Sequence, residues 1–194
     1  MQEVFYEEAA IIQDEKAAKI KYNVFKGLSI FSYVLMAVWI IVVFYGFEFG
    51  KGSILLNIIF ALIPLGVFFA SGFVLGRMKN KFYVDYDYTV VSGSVRFAKV
   101  IKNIKRRFID KFECSDIEKL GKYGSDTYNK YEMAPGIIKQ VLTSNMSPCE
   151  GKDFYYLVVN VSGFKKLYVL ECSETFMVNI LKFAKKTIVE EDFK

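Results

Sequence analysis

The sequence predicts an α+β membrane protein: a transmembrane helical hairpin followed by a small antiparallel β domain that ends in one amphipathic helix. Three observations predict it. Two uncharged apolar runs lie close together, residues 27–47 and residues 52–76. Beyond them come short alternating segments rich in Tyr and Val and broken by Gly and Ser. Near the end, Phe176, Ile180, Leu181, Ala184 and Ile188 recur at helical spacing.

Each apolar run is long enough to cross a hydrocarbon core about 30 Å thick as a helix rising about 1.5 Å per residue. Lys16, Lys19, Lys21 and Lys26 precede the first run, and Arg77, Lys79 and Lys81 follow the second, whereas the short connection holds only Lys51. Positive charge collects on the cytoplasmic side of membrane helices, so both termini are expected in the cytoplasm of a multi-pass cell-membrane protein. The short connection makes the helices antiparallel neighbours. Neither run contains an ionisable side chain, so neither offers a proton relay. Asn57 and Pro64 interrupt the second run; a broken-helix polar site and a tolerated kink both fit them, and the kink is the reading taken. Gly66, Ala70, Gly72 and Gly76 make a small-residue face suited to close helix packing, within the hairpin or in a homodimer.

The charge is divided unevenly. Residues 77–194 carry 21 Lys and Arg against 15 Asp and Glu, a net of +6, while residues 1–26 are at −1. That excess suits a face near anionic lipid or an acidic partner, and is too dispersed for nucleic acid. The chain has no histidine, which removes the commonest general base and a frequent metal ligand. Cys114, Cys149 and Cys172 match no zinc or redox spacing. The first 26 residues include acids and the apolar run starts late, unlike a cleaved signal peptide, and neither end carries a lipidation motif.

Residues 1–25 lack Pro and Gly and are rich in Ala, Glu, Lys and Ile, which predicts a helix. After Lys81, residues 82–91 alternate as a strand with Asp85 and Asp87 on one face. Ser92-Gly93-Ser94 is a turn signal, and residues 95–102 return as a second strand. A turn is expected over 103–107, then a third strand over 108–114. Residues 121–153 are irregular, with a short helix or strand within 132–142. Residues 155–161 and 166–172 form a second hairpin. Ser173 is placed to cap a helix over 174–189. The expected layout is an N-terminal cytosolic helix over 1–26, the hairpin over 27–78 with spans at about 27–47 and 53–76, and a cytosolic domain over 79–194.

Strands, an irregular middle, more strands and one closing helix resemble the pleckstrin-homology-like (PH-like) fold. A two-span hairpin followed by such a domain is similar to bacterial membrane proteins with PH-like modules, a family of unknown function. The stretch YVDYDYTVVSGSVRF, residues 83–97, carries the local likeness: strand, tight turn and strand directly after the second span.

The densest cationic cluster is Lys99, Lys102, Lys105, Arg106 and Arg107. It reads as a contact for anionic lipid headgroups or a protein partner, or as a solvated face obeying the topological charge bias. PH-like folds often use loops between their first strands for headgroups. Tyr83, Tyr86, Tyr88, Tyr155, Tyr156 and Tyr168 read as packing residues rather than a base-stacking platform. Asp85 with Asp87 is a conceivable acid/base or metal pair that exposed strands also produce by chance. Cys172 is the best placed of three thiols that nothing activates, and structural burial is the preferred reading. No catalytic, metal or cofactor-binding constellation stands out. The expected function is binding without catalysis: an anchored module that holds a protein partner or inner-leaflet headgroups at the bilayer. A transporter subunit or membrane-bound enzyme is the alternative.

Overall fold

The computed structural model describes residues 5–46, 54–102, 104–161, 163–184 and 188–189. The chain forms two compact units, one of Met1–Gln13 with Val84–Lys194 and one of Asp14–Tyr83.

The second unit is the helical hairpin. Helix α1 spans Glu15–Gly46 and helix α2 spans Ile54–Met78. Asp14 caps α1, its Oδ1 accepting from the Ala17 amide at 2.8 Å. The helix runs unbroken through the charged first turns into the apolar run. At about 1.5 Å per residue its 32 residues reach roughly 48 Å. The helices lie antiparallel: Ser29 Oγ donates to the Gly72 carbonyl at 2.7 Å and Trp39 Nε1 to the Ala61 carbonyl at 3.1 Å. Near the charged ends, Phe25 and Phe82 rings lie 4.6 Å apart, and Tyr83 donates to Glu15 at 2.5 Å. Both helices pass the length and hydropathy criteria for a span, yet only 11% of the most apolar window of each is buried. A core helix of a water-soluble protein hides most of its apolar surface; these helices display it on all sides, which fits a membrane protein.

The first unit is the β domain. Its strands are β1 (Phe5–Ala10), β2 (Val84–Val91), β3 (Ser94–Ile101), β4 (Lys105–Glu113), β5 (Ile117–Lys122), β6 (Ile138–Val141), β7 (Asp153–Val161) and β8 (Phe164–Cys172). They build two four-stranded sheets, β1-β2-β3-β4 and β5-β7-β8-β6, antiparallel except where β6 runs parallel to β8. Helix α3 is Asp126–Met133 and α4 is Glu174–Leu181. Ser173 caps α4 as its position predicts, accepting from the Phe176 amide.

The inner faces of both sheets share one core with α4. Tyr88, Phe97, Phe112, Tyr168 and Phe176 form its aromatic centre, with ring centroids 5.1–5.7 Å apart. On the opposite face of the second sheet, Tyr156, Val158, Leu167 and Val169 pack with Tyr128 of α3. Covered on both faces, β7 and β8 are apolar at consecutive positions rather than alternating.

Three differences from the sequence reading matter. Residues 5–10 form a strand, not the start of a helix. Tyr6, Glu8 and Ala10 turn inward from β1, and the inward glutamate disguised the alternation. Glu8 accepts from the Ser173 amide and hydroxyl at 2.8 Å and pairs with Lys152 at 3.3 Å. Tertiary pairing with β2 overrides the helical leaning of an Ala- and Glu-rich segment. The β domain therefore begins before the hairpin, and residues 14–83 are an insertion between two paired strands. Second, Lys105, Arg106 and Arg107 belong to strand β4 rather than to a turn. Third, α4 ends at Leu181. Past it Ile188 is buried in the core and Val189 bridges Leu120, while Lys185 and Lys186 lie outside the described residues.

Candidate functional site

The cationic cluster sits on the β3–β4 hairpin. Lys99 faces Arg107, Val100 faces Arg106, and Ile101 faces Lys105. The turn is tight: the Ile104 amide donates to the Ile101 carbonyl at 3.2 Å, and Lys102 holds the left-handed conformation at φ 56°. Asn103 falls outside the described residues.

Strand alternation divides the cluster. Directly opposed residues share a face, so Lys99, Lys105 and Arg107 lie on one side. Arg106 lies on the other with Val100 and Asp85. A bulge sharpens the division, because Phe97 pairs with Asp110 and Ala98 with Phe108, leaving Ile109 without a partner in the register. Lys102, Lys105, Arg106 and Arg107 are exposed and Lys99 is half-buried.

Arg106 is engaged within the sheet. Its Nε lies 2.9 Å from Asp87 and its Nη2 3.2 Å from Glu7. Burial pushes the Asp87 carboxyl up from its ordinary pKa, and the Arg106 guanidinium offsets this only in part. Asp85 and Asp87 are 6% and 8% exposed, so they do not form the solvated strand face that their spacing suggests. Asp85 Oδ1 accepts from the Ile12 amide at 2.9 Å. Both carboxylates thus fix sheet geometry, and Arg106 spans three strands instead of standing beside its cationic neighbours.

Beside the hairpin an open cleft of about 380 Å³ has apolar walls from Ala9, Ile11, Val100 and Ile104, with Asp85, Asp87 and Arg106 as its polar lining. Ile11 and Ile104 are 60% and 80% exposed. The sequence reading missed both, although an isoleucine inside KNIKRR is a visible signal. A second cleft of about 230 Å³, between Tyr123, Val141, Asn145 and Phe154, has no charged lining.

The remaining candidates are structural in their surroundings. Tyr88, Tyr156 and Tyr168 are fully buried. Burial pushes the Cys114 thiol up to about 12, Cys172 well above its ordinary value and Cys149 upward, so none of the three is activated as a thiolate. Among the described residues no group of acids and cysteines is arranged to hold a metal. Glu171, wholly buried, accepts from Thr143 Oγ1 at 2.5 Å, Asn145 Nδ2 at 2.8 Å and the Cys149 amide at 2.9 Å. Asn145 in turn donates to the Ile11 carbonyl and accepts from the Gln13 amide, tying the 142–149 loop to the segment after β1.

The small-residue face of α2 divides as well. A Cβ on Gly72 would stand 3.0 Å from the Tyr33 ring, and one on Gly76 3.2 Å from Ser29 Oγ. These two glycines permit the close approach of α1. Gly66 has open space around it and Ala70 is exposed, so neither packs inside the hairpin.

No curated protein matches the chain. The family model described as Bacterial PH-like domain (DUF6106) matches residues 3–190. That match starts within the segment carrying β1, runs through the inserted hairpin and ends beyond α4, so the strand before the hairpin, the hairpin and the domain after it form one family unit: the chain belongs to the bacterial PH-like domain family.

Proposed function

We propose that the protein is an integral membrane protein whose two apolar helices anchor the PH-like domain at the cytoplasmic leaflet, where it binds anionic headgroups without catalysing a reaction. The observation that carries this reading is the gathering of Lys99, Lys102, Lys105 and Arg107 at one end of the first sheet. Ala10 and Val84, the residues at which the chain leaves β1 for α1 and enters β2 from α2, belong to that same end through the pairings Ala10 with Tyr86, Val84 with Ile101 and Ile101 with Lys105. Four residues separate Ala10 from Glu15, and five, Lys79–Lys81 among them, lie between Met78 and Val84. The cations are therefore tethered to the anchor by short chain segments, which raises their effective concentration at a bilayer. Each basic residue near an anionic surface contributes about 1 kcal/mol, so four supply roughly 4 kcal/mol. Both termini are cytoplasmic in this reading, on the strength of the lysine-rich flanks.

The test uses the full chain in lipid nanodiscs. Amide hydrogen exchange of the β3–β4 hairpin is followed in neutral and in anionic discs at low and physiological salt. Protection that appears in anionic discs, weakens with salt and disappears in the triple variant Lys102→Glu, Lys105→Glu, Arg107→Glu supports the reading. Equal exchange in both lipids removes the headgroup role and points to a protein partner at this surface.

A further inference from the structure

We propose that the same end of the sheet inserts into the bilayer interface, with Ile104 and Ile11 below the phosphate level and Lys102, Lys105 and Arg107 at it. The inference rests on the headgroup reading above and adds depth to it: the ligand is the anionic bilayer surface, not a headgroup free in solution.

Three observations carry it. Ile104 is 80% exposed at the turn of the hairpin, between the exposed cations Lys102 and Lys105. Ile11 is 60% exposed and lines the same cleft as Ile104, so two branched aliphatic side chains from separate strand ends flank one surface. An aliphatic side chain held in water gains by transfer into acyl chains, and cations beside it gain from the phosphates above those chains. A folded protein partner would equally accept the apolar pair, but Lys102 and Lys105, which flank Ile104 along the chain, favour a partner that is negative at the surface and apolar beneath it. Finally, the end is cross-braced by side-chain bonds. Arg106 bonds β4 to Asp87 of β2 and Glu7 of β1, and Asp85 holds the Ile12 amide, so the apolar pair is presented with little ordering left to do.

The experiment uses the full chain with Cys149→Ser, which leaves only the buried Cys114 and Cys172. A single reporter cysteine is placed by Ile104→Cys, Ile11→Cys, Lys102→Cys or Met133→Cys, the last at a site 85% exposed on α3. Each is labelled with a polarity-sensitive fluorophore and reconstituted into nanodiscs of phosphatidylcholine alone or with phosphatidylglycerol, with and without acyl-chain spin labels as quenchers. In anionic discs the labels at 104 and 11 are expected to shift to the blue and to be quenched at least threefold more than those at 102 and 133. Lys102 adjoins the turn, so the contrast between 102 and 104 separates insertion from nearness to the bilayer. Labels at 104 and 11 that stay as wet and unquenched as the label at 133 overturn the proposal. If hydrogen exchange still shows salt-sensitive protection of the hairpin in that case, insertion fails and headgroup contact stands; if protection is also missing, both fail. A variant that does not reconstitute at 104 leaves the decision to the label at 11.

Discussion

The helical hairpin and the β domain are held together by opposite means. The hairpin displays Ile, Leu, Val and Phe on all sides, and its helices meet through a few close approaches: Ser29 and Tyr33 against Gly72, Ser29 against Gly76, and Trp39 against Ala61. The β domain hides an aromatic core from water and fixes its edges with polar bonds around the half-buried Glu8 and the buried Glu171. Each helix also rests on local backbone bonding, whereas the β domain needs a strand that lies more than seventy residues from its partner. The hairpin is therefore vulnerable to steric change and the domain to loss of a distant segment.

The largest effect is expected from removing β1. A fragment of residues 79–194 keeps every strand after the hairpin but loses Ala10 from the core, the Glu8–Lys152 pair and the Glu8 bonds to Ser173. The two bonds from Ser173 to the Glu8 carboxylate are worth about 1.5–3 kcal/mol each, against a typical total of about 5–15 kcal/mol. The fragment should melt at least 10 °C below one in which residues 1–13 are joined by a short Gly-Ser linker to residues 84–194. Equal melting temperatures would mean that β1 adds nothing to the fold.

Replacing Glu171 by Ala comes next, at about 3 kcal/mol, because three donors lose their acceptor in a buried place. Burial by itself raises the Glu171 pKa, but the bonds from Cys149, Thr143 and Asn145 together outweigh it and hold the group below its ordinary 4.5. A lowered folded-state pKa means that this contribution is complete above about pH 4.5 and fades as pH falls through the folded value. Chemical denaturation of the linked domain across pH 3–6 should show a shallower acid loss in Glu171→Gln than in the parent. An unchanged slope would assign acid sensitivity elsewhere, with Asp110 the next group held low: burial raises it, and Lys166 and Tyr168 outweigh that.

In the hairpin, Gly72→Leu should cost about 1–3 kcal/mol by forcing Tyr33 aside, whereas Gly66→Leu, with open space around it, should change stability by less than about 0.5 kcal/mol. Unfolding of the full chain in mixed detergent micelles compares them directly. A Gly66 variant that is as damaged as the Gly72 variant would reveal a contact outside the hairpin, such as a second copy of the chain. Between these two falls Trp39→Phe, which removes one bond to Ala61 and should cost about 0.6 kcal/mol, typical of polar bonds between apolar helices.

Legibility follows the range of the interactions. The apolar helices, the two β-hairpins and the Ser173 cap were readable because composition, period-2 alternation and capping act over a few residues. Strand β1 was not: its inward Glu8 looks like a surface acid until Lys152 and Ser173 arrive from elsewhere in the chain. The cationic cluster was readable as composition, but its division was not. Nothing in KRR says that the middle residue turns toward Asp87 and Glu7 while its neighbours face the other way; strand register and the bulge at Ile109 decide that. Likewise the run Gly66, Ala70, Gly72, Gly76 marks a small-residue face, and only the position of Tyr33 and Ser29 says which two glycines are needed.

By itself, then, the sequence determined the apolar hairpin, the alternating strands after it and the basic character of the domain, because hydropathy and local propensity depend on neighbours in the chain. Only the tertiary structure decided that residues 5–10 complete a sheet begun after the hairpin, and that Arg106 leaves its neighbours to join an ion pair. It also brought Ile11 and Ile104 to one surface. Those outcomes depend on which distant residues are paired, and strand pairing is settled by the burial of whole faces rather than by any short stretch of chain.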